Sequence, residues 1–513
     1  MNPSFNLIYE SWIPCLDFKG QPKTLSLLDA LIQAHELRSI ESSSPLEVAA
    51  IYRLLLALLH RVLDGPRTRS DWYKSWQAGR WQEETLQGYL KTWETRFDLY
   101  DPQHPFYQKE DKRVKPKSVI NIVFDMASGN NATLFDHHIE EEKTYLTSAE
   151  AARAVVTLQA FGLGGLSGLE QKFTDSTCTR GVIFMLEGDT LFETILLNLL
   201  KYDEENPGDG VYRSPKDQPA WEMDDPYKPE RQTPLGYIDY LTWQSRRVLL
   251  FPELYAGGVR VGKMTLAPGL RLDGNVLDPM KHYKKSDTAV TGYALTRFSE
   301  DKSLWRDSSA LLNIRNKQDG QHPPKAFLCT ANLIEDGYLD YHHRYRNLAL
   351  GMANDKTKVE FFRVERMPLP LEYLKDEFCV AALDTALQTT EQVWKQLWGT
   401  CHSMAKNILA PDKNRQPDPK TVSALLGHWD INHIFWSSLE IPFYSLIENI
   451  PQDSEGAVLG WNRTLRQAAW DSVEYLERCA GDKPETLAAL VKGRRQLAAG
   501  LNKVLSAPNK QGD

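Results

Sequence analysis

The chain lacks closely spaced cysteines and long apolar segments. Its 513 residues include six cysteines, none of which forms a Cys-x-x-Cys pair. This spacing excludes the common zinc motifs and gives no sign of a compact disulfide scaffold. The most apolar stretch, residues 54–59, is far shorter than the roughly 18 residues that a membrane-spanning helix needs. Residues 1–15 do not resemble a secretory signal peptide, so a cytoplasmic location and no membrane partner are expected.

An excess of positive charge is also missing. The formal net charge is −8, from 60 basic and 68 acidic residues. Proteins that coat DNA regardless of sequence are usually basic, so this class is disfavoured. A local basic patch remains compatible with the net charge, because salt screens surface charges beyond roughly 8 Å. We find no P-loop, nucleophile elbow or paired zinc ligands, and we therefore expect a protein that is not an enzyme and carries no cofactor.

The hydrophobic pattern predicts an α+β protein. Helices are predicted at 47–63 and 148–161, with Ser148 as the cap of the second helix, and short strand-like segments are predicted through 237–367. The composition changes near Pro368, which predicts a mixed α/β domain at 1–368 and a helical domain at 369–513. The helices predicted in the second domain lie at about 371–402, 418–447, 455–480 and 484–506. Helices of this length joined by turns favour an antiparallel four-helix bundle.

A glycine-rich segment follows the helix predicted at 148–161. Four glycines lie within residues 161–168, where they allow the backbone to approach a ligand closely. A dinucleotide-binding site would place such glycines between a strand and a helix, but here a helix precedes them. A helix-ending loop is one interpretation. A second is a surface without side chains that enters the DNA minor groove, which is only about 6 Å wide.

A polar segment at 129–138 allows two functional interpretations. Asp136, His137 and His138 could bind a metal ion, as in a metal-dependent phosphohydrolase, although adjacent residues diverge on a regular element. Alternatively, the loop exposes Phe135 for stacking on a base, which is worth roughly 1–3 kcal/mol.

Two further segments combine basic and turn-forming residues. Residues 278–285 contain three lysines around Tyr283, which suits either an exposed hairpin tip or contact with phosphates through Lys284 or a neighbour. Residues 351–359 have a turn signal between extended flanks, which suits an ordinary hairpin. A hairpin tip with Asn354, Lys356 and Thr357 could also insert beside a base step.

The chain resembles the CasA family, the large subunit of the type I-E CRISPR surveillance complex Cascade. The resemblance runs in order along almost the whole chain. The matching segments lie at 5–14, 96–108, 129–138, 159–165, 187–194, 278–280, 304–306 and 351–370.

The resemblance implies a non-catalytic subunit that reads a short protospacer-adjacent motif from the minor groove. It places DNA contacts on a glycine loop (Gly162, Leu163, Gly164, Gly165), a lysine element (Lys284, Lys285) and a wedge hairpin (Asn354, Asp355, Lys356, Thr357). It places guide-RNA contacts on Asn131, Thr133 and Phe135. The implied partners are guide RNA, target duplex DNA, the backbone and small subunits of the complex, and a helicase–nuclease that is recruited after target binding.

Two departures from the family pattern affect these expectations. Some relatives carry glutamine at the wedge tip, where this chain has Asp355, Lys356 and Thr357, so the motif preference is open. Some relatives also carry a cysteine cluster before the lysine element, whereas residues 251–273 contain no cysteine. We therefore expect no zinc site.

Overall fold

The computed structural model describes residues 3–124, 145–203, 211–274, 276–289, 292–314, 320–355, 358–411 and 416–506. It confirms a mixed α/β protein. The chain forms two compact units: the first lies within 1–299, 316–340 and 345–366, and the second within 300–315, 341–344 and 367–513. Two of the segments of the second unit therefore precede the boundary expected at residue 368.

The first unit is organised around one buried helix. Helix α2 (Pro45–Leu63) follows a three-stranded antiparallel sheet with the order β2-β1-β3. The strands are β1 (Ile13–Asp17), β2 (Pro22–Leu25) and β3 (Leu37–Ile40), and helix α1 (Leu27–Ile32) lies between β2 and β3. Fourteen of the 19 residues of α2 are buried, because the helix is apolar on almost every side. This confirms the helix predicted at 47–63.

Shorter helices accompany α2 in this unit. They are α3 (Arg69–Ala78), α4 (Glu83–Thr92), α5 (Ser148–Phe161), α6 (Leu191–Leu197) and α7 (Tyr237–Leu241). Helix α5 has the predicted bounds, but its cap is Thr147 rather than Ser148. The Thr147 hydroxyl accepts from the Glu150 N–H, and the Glu150 carboxylate accepts from the Thr147 N–H, which forms a capping box.

A second sheet is built on one long hairpin. Strands β7 (Arg246–Tyr255) and β8 (Gly258–Pro268) pair antiparallel, and β8 also pairs with β4 (Lys117–Ser118) and β5 (Leu146–Thr147). The short strands predicted for 237–367 are therefore wrong in length for this hairpin. Proline usually ends a strand, but at Pro252 the structure has a register shift and the strand continues.

The third sheet has the order β12-β11-β6. It consists of β6 (Ile183–Glu187), β11 (Arg344–Asp355) and β12 (Lys358–Pro370). A separate pair is formed by β9 (Tyr283–Lys285) and β10 (Tyr293–Leu295), and helices α8 (Ser308–Leu312) and α9 (Lys325–Glu335) lie between β10 and β11 in sequence. Strand β6 is buried at all five positions, so its apolar run is not amphipathic.

The second unit is mainly helical. Its helices after β12 are α10 (Glu372–Lys375), α11 (Glu377–Leu409), α12 (Pro419–Trp429), α13 (Ile431–Asn449), α14 (Ser454–Ala480) and α15 (Pro484–Leu505). The segment predicted at 418–447 is two helices, because Asp430 adopts a left-handed conformation with φ 44°. Helix α11 packs against α12, α14 and α15, and α13 packs against α14. The four-helix arrangement stays a prediction.

Candidate nucleic-acid interface

The glycine loop, residues 162–165, directly follows α5 and folds back on residues 173–175. Gly165 and Phe173 exchange two backbone hydrogen bonds of 3.1 and 3.0 Å. The Gly164 N–H donates to Asp175 Oδ1 at 2.8 Å. Gly165 has φ 151°, which side-chain-bearing residues rarely adopt. The N–H groups of Gly164 and Gly165 are thus used inside the protein, so these two positions offer a surface without side chains rather than free donors.

A buried arginine lies beneath this loop. Arg246, at the start of β7, donates from Nη2 to the carbonyl oxygens of Leu163 and Thr174, each at 2.8 Å, and from Nη1 to Ser245 O at 2.7 Å. Burial lowers the pKa of Arg246 to about 10, so the guanidinium remains charged at neutral pH. A Cβ atom on Gly162 would lie 2.8 Å from the guanidinium nitrogens, so only glycine permits this close approach.

The lysine element, Lys284 and Lys285, lies on β9. Lys284 is half-buried and lies opposite Ala294 of β10, whereas Lys285 is exposed and lies opposite Tyr293. Lys281 differs from both, because it is buried and its Nζ donates to Thr177 O at 2.6 Å. The interpretation of 278–285 as an exposed hairpin tip is therefore wrong for Lys281.

The backbone just before the lysine element is held by a buried ion pair. Arg53 of α2 lies 3.1 Å from Asp278 Oδ2, and the Tyr240 hydroxyl donates to the same oxygen at 2.7 Å. Burial opposes the charged form of Asp278, but the nearby cations Arg53 and Lys281 outweigh it and lower the pKa of Asp278. Buried carboxylates are usually paired with cations, and the pairing of Asp278 fixes the backbone just before Lys284.

The wedge hairpin is formed by β11 and β12. Asn354 lies near the end of β11 and is half-buried. Asp355 is the last residue of β11, and its side chain, Lys356 and Thr357 lie outside the described residues. At the base of the hairpin, Glu187 of β6 accepts from Arg346 Nε at 2.7 Å and from Arg366 Nε at 3.2 Å.

One segment, residues 176–183, contacts the glycine loop and the backbone that leads to the other two predicted elements. The Ser176 N–H and the Thr179 hydroxyl each donate to Gly162 O at 2.8 Å. Thr177 O accepts from Lys281, and the Val182 N–H donates to Thr296 O at 3.0 Å, just after β10. Ile183 begins β6 and pairs with Leu350 of β11. We call residues 176–183 the central segment.

The predicted RNA-contacting residues Asn131, Thr133 and Phe135 lie outside the described residues. So do Asp136, His137 and His138, on which the phosphohydrolase hypothesis depends. Within the part of the chain that is described, no group of three or more His, Cys, Asp or Glu side chains is arranged to hold a metal ion.

Comparison with known proteins identifies the family. A profile of the family described as CRISPR-associated protein Cse1 matches residues 6–472. The CasA/Cse1 protein of Thermus thermophilus is 32% identical over 506 residues, which cover 96% of each chain. This chain belongs to the Cse1 family. The resemblance inferred from its ordered motifs is confirmed.

Solved Cse1 structures share the fold. The crystal structure of Thermus thermophilus CasA is 28% identical, with a TM-score of 0.80, and the match covers 97% of this chain and 99% of that one. A chain of a solved CRISPR RNA-guided surveillance complex is 21% identical, with a TM-score of 0.74, and the match covers 97% of this chain and 100% of that one. At that identity the second likeness shows the fold alone.

The sequence did not reveal the positions of three residues beside the glycine loop and the wedge hairpin of this Cse1 chain. Arg246 gave no signal, because an arginine at the start of a strand is usually exposed. Glu187 was noticed only as part of a family segment. Leu166 follows the glycine loop and is 85% exposed, which is unusual for a large apolar side chain. An apolar residue beside a glycine cluster was the available sign of a surface-exposed tip.

The described helices also bear on membrane contact. None of them combines the length and the apolar character that a bilayer-spanning helix requires.

Proposed function

We propose that this chain is the non-catalytic large subunit of a type I-E RNA-guided surveillance complex and that it recognises a short motif in duplex DNA. The observation that carries the proposal is the central segment, since within one unit it contacts the glycine loop, the residues that flank Lys284 and Lys285, and strand β11, which leads to the wedge tip. Elements far apart in sequence can act on one stretch of duplex only when a common support holds them together.

The glycine loop contributes shape to this recognition. Its N–H groups at Gly164 and Gly165 are bonded internally, so sequence-reading by donated backbone hydrogen bonds is limited there. A surface of small residues fits the minor groove, which is about 6 Å wide and shows nearly the same pattern for A·T and T·A pairs. Recognition of this kind tolerates several related motifs.

Lys284 and Lys285 contribute charge. They lie on neighbouring positions of β9, which is fixed by its pairing with β10 and by the buried cluster at Asp278. Phosphate contacts of this type position a protein on the duplex, and base contacts then add specificity.

The wedge hairpin opens the duplex. We propose that Asn354, Asp355, Lys356 and Thr357 insert beside the base step next to the motif. Separating stacked bases costs a few kcal/mol, and new protein contacts offset it. The ion pairs of Glu187 with Arg346 and Arg366 stiffen the base of the hairpin, as a wedge requires. Guide RNA then pairs with the released target strand, as in other RNA-guided systems.

The remaining parts of the proposal concern partners. Asn131, Thr133 and Phe135 contact guide RNA, and a C-terminal four-helix bundle contacts the backbone and small subunits. A separate helicase–nuclease, recruited after strand opening, cuts the DNA. These assignments follow the family, and one relative of the same fold is a chain of a solved CRISPR RNA-guided surveillance complex.

The charge contribution is tested by Lys284→Ala in the assembled complex. We expect weaker binding of motif-containing duplex and a log–log salt slope that is shallower by about 0.9, the value for one lost phosphate contact. Duplex binding is measured by fluorescence anisotropy over a salt series. Lys91→Ala, at an exposed position of α4, is the matched control. An unchanged affinity and slope for Lys284→Ala would contradict the assignment.

The shape contribution is tested by Gly164→Leu. A Cβ atom at Gly164 would lie 3.1 Å from Asp175 Oδ1, so the larger side chain displaces the loop surface. We expect the complex to assemble and the target duplex to lose its electrophoretic shift. Gly88→Leu is the control, because a Cβ at Gly88 of α4 meets no atom within 4 Å. A normal shift with the Gly164 variant would refute the role of the loop.

A further inference from the structure

A basic loop at residues 109–117 is anchored at both ends to the sheet that contains β7 and β8. At its start, the Lys109 N–H donates to Val248 O of β7 at 2.9 Å. At its end, Lys117 and Ser118 form β4 and pair with Met264 and Lys263 of β8. The loop is therefore attached to a well-packed surface, and its path is defined by the sheet.

The acidic side chains around this loop are largely neutralised. Lys109 pairs with Asp225 at 3.2 Å, Arg113 pairs with Asp111 at 2.6 Å, and Arg260 pairs with Glu253 at 3.7 Å. The Arg113 guanidinium lowers the pKa of Asp111 to about 2, so this carboxylate is charged and occupied at neutral pH. Glu110 is exposed and offsets one further cation.

A local surplus of three positive charges remains after Glu110 is counted, and it is carried by four lysines on the loop and on the strand beside it: Lys112, Lys115, Lys117 and Lys263. All four are exposed, and none has a carboxylate within 4 Å among the residues that the structure describes. In a chain with a net charge of −8, a local surplus of this kind marks a surface suited to a polyanion.

An exposed aromatic ring lies among these charges. Lys263 pairs across the sheet with Ser118 on one side and with Phe251 on the other, so the three share one face. Phe251 is 37% exposed. Single-stranded nucleic acids bind surfaces that combine lysines with an accessible aromatic ring. Their phosphates contact the cations, and an unpaired base stacks on the ring. A duplex keeps its bases stacked and gains nothing from the ring.

The loop lysines lie at the edge of the same sheet. Strand β4 pairs with β8 alone among the described strands, so Lys117 occupies an edge position and is exposed. Lys117 pairs with the buried Met264, so its side chain starts on the face opposite to Lys263 and Phe251. A lysine carries its charge on a long flexible stem, which can reach around a strand edge towards the phosphates of a chain bound at Lys263.

We propose that Lys115, Lys117, Lys263 and Phe251 form a binding surface for single-stranded guide RNA. We call these four residues the lysine–phenylalanine surface. The inference rests on the proposed function, because β4 and β5 both pair with β8, and they are the strands on either side of the sequence segment assigned to guide RNA. RNA rather than target DNA is favoured by this proximity in the sheet.

The test measures binding of a short, unstructured, labelled RNA by the purified full chain. For the Lys115→Glu/Lys117→Glu/Lys263→Glu variant we expect affinity to fall at least about tenfold and the log–log salt slope to become shallower by about 2, since each single-strand phosphate contact contributes about 0.7. For Phe251→Ala we expect a loss of roughly fivefold to a hundredfold with an unchanged slope, because stacking releases no counterions.

Controls separate a specific surface from a general effect of charge. The Lys19→Glu/Lys91→Glu/Lys395→Glu variant carries the same charge change at exposed positions elsewhere, and it should bind RNA nearly as tightly as the unmodified chain. Equal losses in both triple variants would overturn the proposal. So would unchanged RNA binding by the lysine–phenylalanine variants, or tighter binding of single-stranded or duplex DNA of the same length through these residues.

The two proposals fail in different ways. Normal target binding by a complex containing Gly164→Leu would count against the proposed function, whereas normal RNA binding by the triple lysine variant would count only against the lysine–phenylalanine surface. Lys115→Gln/Lys117→Gln/Lys263→Gln, which removes charge without reversing it, should show the same direction of change with a smaller loss.

Discussion

At the scale of single residues, burial changes the pKa of several titratable side chains. His60 of α2 is completely enclosed, and its ring packs against Tyr202 and Tyr237 at centroid distances of 5.2 and 5.1 Å. Burial lowers the pKa of His60 from 6.5 to about 3. Below pH 6.5 the unfolded chain therefore binds a proton at this position that the folded chain does not bind, and stability declines as the pH falls from 6.5 towards 3.

The pH dependence is tested with His60→Phe. Between pH 6.5 and about 4, we expect the free energy of unfolding of the unmodified chain to fall faster than that of the variant, by up to about 1.4 kcal/mol per pH unit. Urea unfolding at a series of pH values measures the difference, which removes contributions from groups common to both proteins. Parallel pH profiles would show that His60 takes up its proton in the folded state.

Arg246 is the second residue whose effect is local and measurable. Arg246→Met leaves the carbonyl oxygens of Leu163 and Thr174 without their donor, and we expect a loss of about 2–4 kcal/mol of stability. Target binding by the assembled complex should fall as well, because the glycine loop is no longer held from below. Arg247→Met is the control, since the half-buried Arg247 guanidinium donates to one carbonyl oxygen, Pro268 O, and lies over the Tyr227 ring, so its loss should cost less than that of Arg246. Equal effects at both positions would argue against a special role of Arg246.

At the scale of elements, the wedge hairpin depends on one carboxylate. Glu187 of β6 binds Arg346 and Arg366, which lie on the two strands of the hairpin. For Glu187→Gln we expect the free energy of unfolding to fall by about 1–3 kcal/mol and hydrogen exchange along β11 to become faster, since a neutral amide binds the guanidinium groups less strongly. Glu360→Gln, at an exposed position of β12, is the control. Unchanged exchange in β11 would show that the hairpin is held by its backbone pairing alone.

Hydrophobic periodicity predicted the bounds of some helices and strands closely and missed others. Helices α2 and α5 were predicted closely, because a long run of apolar residues at helical spacing has few alternatives. The division of 418–447 at Asp430 was missed, since Asp is tolerated in both helical and left-handed conformations. The length of β7 and β8 was also missed, because the two strands support each other by pairing and β8 is further supported by β4 and β5.

At the scale of the whole molecule, the second unit includes a segment that precedes its long helices by more than 60 residues in sequence. Trp305, in the segment 300–315, is 3% exposed and packs against Phe443 at 4.6 Å and against Trp436 at 5.9 Å. Arg306 stacks on Trp436 at 3.4 Å and pairs with Glu391 at 2.7 Å. The segment is therefore part of the core of this unit.

This arrangement predicts a large effect from a residue outside the long helices. For Trp305→Ala we expect a loss of about 3–5 kcal/mol in the unfolding of the helical unit, because the substitution leaves a cavity among large aromatic rings. Far-ultraviolet circular dichroism during urea unfolding measures the change. Trp398→Ala, at a position that is 41% exposed, should have a much smaller effect. Equal losses for both variants would place Trp305 outside the core.

The sequence by itself determined the mixed fold class, the positions of the longest helices and, through ordered motifs, the family. These features depend on local periodicity and on residues adjacent in the chain, so they can be recognised without distant contacts. It also singled out the glycine loop, the lysine element and the wedge hairpin, and the resemblance implied that the three converge on one DNA groove, but it did not show which residues connect them.

Only the tertiary structure decided which neighbours these residues have. It buried Lys281 while leaving Lys285 exposed, placed Arg246 under the glycine loop, and connected that loop through the central segment to the backbone beside Lys284 and to strand β11. It also joined the basic loop to Lys263 and Phe251, which lie more than 130 residues further along the chain. The physical reason is that burial, pairing of charges and hydrogen-bond partners are set by long-range packing, which the spacing of residues along the chain does not encode.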